Sequence, residues 1–231
     1  MKVAAIIPAA GRGERFKSKV PKSFVSVLGK PLLVHTLRRL QNCYAFEEMV
    51  VMVQRSHQSR TREMLKRHGF GHVRVEIGGS SRADSVKRGF LSLTQRSEWV
   101  LVHDAARPLV DTAFLLRTLS AAKKSGAALC GIPVTATVKR LRPGQDIVLS
   151  TQDRRYLYLA QTPQVFRKDL LLARYRALGK KALKATDEAA LFDKTSVPVR
   201  CVEGDVKNIK VTTQDDLELV KYYLSKERAL N

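Results

Sequence analysis

Short apolar runs rich in β-branched residues alternate along the chain with longer stretches whose apolar positions recur at helical spacing. The runs are Val3 to Pro8, Met49 to Gln54, Val73 to Ile77, Trp99 to His103, Ala127 to Val134 and Val197 to Val202. Their alternation with helical segments predicts an α/β fold with a largely parallel sheet. Pro31 to Leu40 carries Leu33, Leu37 and Leu40 on one face behind a break at Gly29, and Arg82 to Gln95 carries Val86, Phe90 and Leu93 likewise. Both are predicted crossover helices. Thr213 followed by Asp216 has the spacing of a helix N-cap, and Leu217, Val220 and Leu224 continue a C-terminal helix.

One stretch breaks the alternation. Thr135 to Ala160 sets Arg142, Pro143, Gly144 and Gln145 between two β-rich arms, which reads as a hairpin with a Pro-Gly turn. It has little apolar surface, so it needs a second surface to pack on, either the parent domain or another subunit. No internal repeat, low-complexity segment or Ser/Gly-rich linker interrupts the rest. Residues 1–231 therefore read as a single domain with an arm at about 135–160.

The 231 residues are 44% hydrophobic, enough for one large core. Charge changes the picture: 42 Lys and Arg against 21 Asp and Glu give a net +21. Such an excess suits a polyanionic partner, nucleic acid or phosphorylated substrates. The basic residues are scattered instead of gathered in a tail or an aromatic-studded patch, which argues against nucleic acid. No apolar run approaches the roughly 18 residues of a membrane helix, so no membrane partner is expected. The opening MKVAAIIPAAGRGERF is too short and too soon interrupted for a signal peptide. Cys43, Cys130 and Cys201 are odd in number and far apart, which suits bystander thiols in a reducing cytoplasm.

The strongest motif is IIPAAGRGERF followed by Pro21 and Lys22. Gly11 and Gly13 let the backbone turn tightly and present bare N–H groups, while Arg12, Arg15 and Lys22 bring positive charge; such a loop binds phosphates. Phe16 stands where G-x-G-x-x-G requires a third glycine, so the dinucleotide fingerprint fails, and Lys30 is followed by Pro31, so the P-loop fails too. In VHDAARP, Asp104 follows a strand and falls at the carboxyl edge of a parallel sheet, where α/β folds place ligands. A carboxylate there can hold a divalent cation or a sugar hydroxyl, and Arg107 can pair with a phosphate; an Asp–Arg structural ion pair is the alternative. His103 reads as structural. In GGSSRADSV, Gly79 leaves room for a planar base, and Ser80, Arg82 and Ser85 can hydrogen-bond a nucleotide; a Gly-Gly turn with Ser80 or Ser81 capping the next helix fits equally well. Lys210, alone, would be a solvated strand residue. Thr186, Asp187 and Glu188 read as a helix start.

The pattern P-A-A-G-x-G-x-R followed by P-K resembles the sugar-phosphate nucleotidyltransferases. GGSSRADSV, VHDAARP, PVTATVKR, QTPQVF, TDEA and NIKVT extend the likeness nearly end to end, toward the branch that acts on 2-C-methyl-D-erythritol 4-phosphate in non-mevalonate isoprenoid synthesis. The resemblance implies a Rossmann-like nucleotidyltransferase fold, with a mostly parallel sheet flanked by helices and a protruding β-hairpin. It implies CMP transfer from CTP to the methylerythritol phosphate with release of pyrophosphate, Mg2+ as cofactor, and a homodimer exchanging arms. It assigns Arg15, Lys22 and Lys210 to the phosphates as catalytic groups. Ala9, Ala10, Gly11, Gly13, Gly79, Ser80, Arg82, Ser85 and Ala105 fall to the nucleotide, with Ser85 on the base. Asp104, Arg107, Thr137, Arg154 and Thr162 fall to the acceptor, and Asp104 is a candidate Mg2+ ligand. Ribitol 5-phosphate is the alternative acceptor, disfavoured by Ala105 and Ala106. A sugar monophosphate is mostly a dianion at neutral pH, with a second pKa of about 6, so no general base and no catalytic His or Glu is expected.

Overall fold

The computed structural model describes residues 1–11, 16, 21–94 and 96–229. In chain order the strands are β1 (Val3–Pro8), β2 (Ser26–Val27), β3 (Lys30–Pro31), β4 (Glu48–Val53), β5 (Arg74–Ile77), β6 (Trp99–Val102), β7 (Ala127–Pro133), β8 (Lys139–Leu141), β9 (Val148–Thr151), β10 (Tyr158–Arg167) and β11 (Val199–Glu203). The helices are α1 (Leu32–Cys43), α2 (Gln58–Arg67), α3 (Arg82–Ser92), α4 (Thr112–Ser125), α5 (Lys168–Leu178) and α6 (Gln214–Ala229). Seven strands form one sheet in the order β11-β7-β10-β6-β1-β4-β5. Every pairing in it is parallel except those of β10, which runs antiparallel to both β6 and β7. The fold is the mostly parallel, helix-flanked sheet that the apolar alternation predicts.

Both faces are covered, which is why the strands read as unbroken apolar runs. Val3, Ala5 and Ile7 of β1 point to a core shared with Leu33 and Leu37 of α1, Leu65 of α2 and Leu115 of α4. Ala4 and Ile6 point the other way, to Val86 and Phe90 of α3 and Leu171 and Tyr175 of α5. Gly89 lets α3 lie this close: a Cβ there would meet Ile6 Cγ2 at 2.8 Å and Met52 Sδ at 3.0 Å. A third cluster joins Phe16 to Val27, Leu32, Leu109, Val211, Val220 and Leu224. Phe16 thus sits in the core, a physical reason for an aromatic where a dinucleotide fold has glycine.

Segment ends follow their caps. Ser81 accepts from Asp84 N at 3.1 Å to start α3. Thr213 Oγ1 accepts from Asp216 N at 3.3 Å while Asp216 Oδ2 accepts from Thr213 N at 2.8 Å, a reciprocal box that opens α6. The arm is a β8–β9 hairpin whose turn has Gly144 at φ 73°, the left-handed geometry a Pro-Gly turn needs. Leu141, Ile147, Val148, Leu149 and Tyr156 on and beside it are exposed.

Candidate active site

The carboxyl ends of β1, β5 and β6 converge on one edge of the sheet, and the loops leaving them line two adjoining cavities. The first, of about 180 Å³, is bounded by Ala9, Ala10 and Gly11 after β1, Lys22, Arg82 and Ser85, Asp104 and Ala105 after β6, and Lys210. The second, of about 240 Å³, is bounded by Arg107, Gln161, Thr162, Gln164 and Asp187. Arg82, Asp104 and Lys210 line both and form the boundary between them.

Asp104 is the electrostatic centre of that boundary. Its Oδ1 accepts from Arg82 Nε at 2.9 Å, and its Oδ2 lies 2.7 Å from Lys210 Nζ and 3.8 Å from Arg107 Nε. Burial opposes its charge, but Arg82 and Lys210 outweigh it and hold the carboxyl well below the usual carboxylate range. Arg107 is anchored by donation from Nη1 to Asn208 O at 2.6 Å, and burial lowers its pKa. Lys22 Nζ donates to Val211 O at 2.6 Å, so both lysines approach the first cavity from one segment's side.

His103 and Thr162 fix the loop beneath Asp104. Burial pushes the His103 pKa down to about 4, so the ring is neutral at ordinary pH. Thr162 Oγ1 accepts from Asp104 N at 3.0 Å, which leaves its hydroxyl proton for His103 Nδ1 at 3.1 Å. Nδ1 is then the acceptor, and Nε2–H donates to Arg107 O at 2.9 Å. Both ring nitrogens are used inside the protein, so His103 has none left for a substrate proton.

The family model described as IspD, 2-C-methyl-D-erythritol 4-phosphate cytidylyltransferase, matches residues 3–226. The chain belongs to the IspD family. It is 37% identical over 228 residues to the 2-C-methyl-D-erythritol 4-phosphate cytidylyltransferase of Syntrophus aciditrophicus (strain SB), covering 98% of this chain and 97% of the relative. It is 38% identical over 233 residues to the protein of the same name from Acidobacterium capsulatum, covering 97% and 98%. The crystal structure of 4-diphosphocytidyl-2C-methyl-D-erythritol synthase from Anaerococcus prevotii DSM 20548 is similar with a TM-score of 0.83 and 30% identity, over 97% of this chain and 98% of that one.

Within this IspD-family fold, the expected site residues divide. Ala9, Ala10, Gly11, Lys22, Arg82, Ser85, Asp104, Ala105, Arg107, Thr162 and Lys210 all line the two cavities. Gly13 and Arg15 lie outside the described residues. Thr137 and Arg154 sit exposed on and beside the arm, and Arg154 Nη1 donates to its own chain's Thr135 O; neither is among the residues that line these two cavities.

Three of the expected residues have close partners inside the protein. Gly79 packs its backbone against Asp84, with whose carboxylate a Cβ at Gly79 would collide. That carboxylate accepts from Ser80 N at 2.9 Å, while Ser85 Oγ accepts from Gly79 N at 3.0 Å and donates to Ser81 O at 2.8 Å, so the turn builds itself as the capping alternative required. Thr162 Oγ1 is hydrogen-bonded to Asp104 N and His103 Nδ1 while the residue lines the second cavity. Asp104 does not fit a metal ligand: both its oxygens face cations at close range, and the described residues hold no group of three or more His, Cys, Asp or Glu able to bind a metal.

Sequence reasoning missed Glu188 and Gln164. Glu188 is 2% exposed and its carboxylate takes Arg82 Nη1 at 3.1 and 3.0 Å. Gln164 holds the preceding turn, donating to Asp187 Oδ2 at 2.8 Å and accepting from Ala189 N at 3.2 Å. The available signal was the polar alternation of Gln161, Thr162 and Gln164 inside a strand otherwise apolar.

Proposed function

We propose that the chain transfers CMP from CTP to 2-C-methyl-D-erythritol 4-phosphate and releases pyrophosphate, a step of isoprenoid biosynthesis. The observation that carries this reading is the pair of adjoining cavities with a common cationic wall of Arg82 and Lys210 around Asp104. One cavity takes the nucleotide and the other the acceptor. The acceptor phosphate, a dianion, attacks the α-phosphorus; a new P–O bond forms as the bond from that phosphorus to the bridging oxygen of pyrophosphate breaks. No proton has to leave the nucleophile, which agrees with a neutral, fully engaged His103.

The obstacle is charge, and the protein's own residues address it. Lys22 and Lys210 stand on the nucleotide cavity, where they offset the charge that grows on the departing pyrophosphate. Arg107 and Arg82 hold the acceptor against the same wall so that attack is in line. Mg2+ would be held by the phosphate oxygens of the triphosphate and by water, and would supply further charge neutralisation there. Nucleic acid is not a partner on this reading, since the charge serves small polyanions. Among the described residues no helix is long and apolar enough to cross a membrane, and the three cysteines are free, in keeping with a reaction in the cytoplasm.

The arm extends the proposal to a homodimer. Leu141, Ile147, Val148 and Leu149 are about half exposed, more apolar surface than an isolated two-stranded ribbon can leave in water. Seating each arm on a second copy covers that surface and brings Thr137 and Arg154 to the partner's acceptor cavity. Pyrophosphate release from CTP with methylerythritol phosphate, and with ribitol 5-phosphate as competitor, tests the substrate reading.

A further inference from the structure

We propose that Glu188 is a positioning residue of this reaction, holding the Arg82 guanidinium in the wall between the nucleotide and acceptor cavities. The inference rests on the cytidylyl-transfer reading above. Arg82 spends Nη1 on both oxygens of Glu188 and Nε on Asp104. That leaves Nη2, for which no hydrogen bond is found among the described residues, to a ligand in the cavities Arg82 lines. Two anchors on two nitrogens fix the guanidinium plane; either anchor alone leaves it free to swing.

The support for Glu188 is itself built. Its turn is clamped to β10 by Gln164 through Asp187 and Ala189, and Ala190 N donates to Asp187 Oδ1 at 3.0 Å. A carboxylate 2% exposed is costly, and a chain that needed only a packed turn could place an apolar residue there. The groups facing Glu188 are Arg82 from α3, Asp104 from the loop after β6, Asp187 of its own turn and the Tyr175 hydroxyl from α5. Tyr175 Oη is buried without a hydrogen-bond partner among the described residues. Burial pushes the Glu188 carboxyl up to about 7, against the pull of Arg82. Protonation near neutral pH therefore loosens one anchor of Arg82, and the wall loses its geometry as pH falls.

The test is kcat/KM for the acceptor across pH, with thermal melting alongside, for wild type and Glu188→Gln. The glutamine keeps the shape and removes the charge. We expect kcat/KM at about pH 8 to fall about a hundredfold, the scale of a misplaced binding group, with KM for CTP changing far less. The wild-type profile should show an acid limb near 7 beside the acceptor's own ionisation at about 6, which phosphorus NMR of the acceptor locates; the variant should show the second limb alone. A variant within about twofold of wild type, or one whose activity loss is the same at every pH and matches a loss of melting temperature, overturns the proposal. If the variant does not fold, the wild-type profile decides by itself: a limb near 7 supports the role, and a single limb at about 6 refutes it. Wild type without turnover on CTP and methylerythritol phosphate overturns the activity reading itself, whereas turnover unaffected at Glu188→Gln overturns this inference alone.

Discussion

Replacing Asp104 with Asn removes one negative charge from a point where three cations meet. The amide keeps the shape and one oxygen for Arg82 Nε, now 2.9 Å from Oδ1. The other position changes from acceptor to donor and turns an N–H toward Lys210 Nζ, which lies 2.7 Å from Oδ2. The Asp104 side chain is 8% exposed, so water cannot take over its role. Removing one member of a buried charge pair costs about 3–5 kcal/mol. Lys210 is 40% exposed and can turn into solvent, which puts the expected loss at the low end, about 3 kcal/mol. For a chain of this size that is about 6–12 °C in Tm, readable by differential scanning calorimetry. The pH dependence follows from sign. Burial opposes the charge but Arg82 and Lys210 depress the folded pKa, so this stabilisation is present above the unfolded value of about 3.9 and is lost only as pH falls through the folded one. The ionisation of Asp104 itself therefore adds no change to the gap between wild type and Asp104→Asn from about pH 8 to about pH 5, and a step near pH 7 belongs to Glu188, which faces Asp104. A gap under about 2 °C, or one that shrinks steadily over that range, would refute the placement of Asp104 at the centre of the charge network.

Lys22→Ala should lower kcat by about a hundredfold or more, since a donor at a developing anion is worth roughly 2.7–4 kcal/mol; a variant that loses only CTP affinity would make Lys22 a ground-state binder. Co-refolding Lys22→Ala with Arg154→Ala, each inactive alone, should restore about a quarter of wild-type activity, because half of randomly paired dimers carry one intact site of two. Verified mixed dimers that stay inactive would place Arg154 in its own chain's site. Chelation of Mg2+ should abolish turnover while leaving the melting temperature of the free protein unchanged, because the ion belongs to the triphosphate; a chelator-induced drop in Tm would reveal a protein-held metal.

What could be read from the sequence was what burial enforces. β1, β4, β6 and β7 are covered on both faces, so their runs are apolar throughout and announced themselves, as did the Leu33-Leu37-Leu40 stripe of α1. β10 did not. Its Gln161, Thr162 and Gln164 are buried polar residues that serve the site, so the strand lacks the hydrophobic signature, and its antiparallel direction follows from chain geometry that no local pattern encodes. The nucleotide-side residues Ala9, Ala10 and Gly11 were legible because one short loop carries them. Glu188 was not, since an acidic residue ahead of a short 3-10 turn looks like a solvated cap; its significance lies in Arg82, 106 positions away. Gly79 was legible as a residue that must be small, and one neighbour it makes room for is Asp84.

The central claim is that two polyanions meet across the wall of Arg82, Asp104 and Lys210. The most direct measurement is pyrophosphate release with each of the four ribonucleoside triphosphates against methylerythritol phosphate and ribitol 5-phosphate, with Mg2+ present. The account predicts release with CTP and methylerythritol phosphate far above every other pair. Equal release with ribitol 5-phosphate, a preference for another nucleotide, or no release with any pair would contradict it.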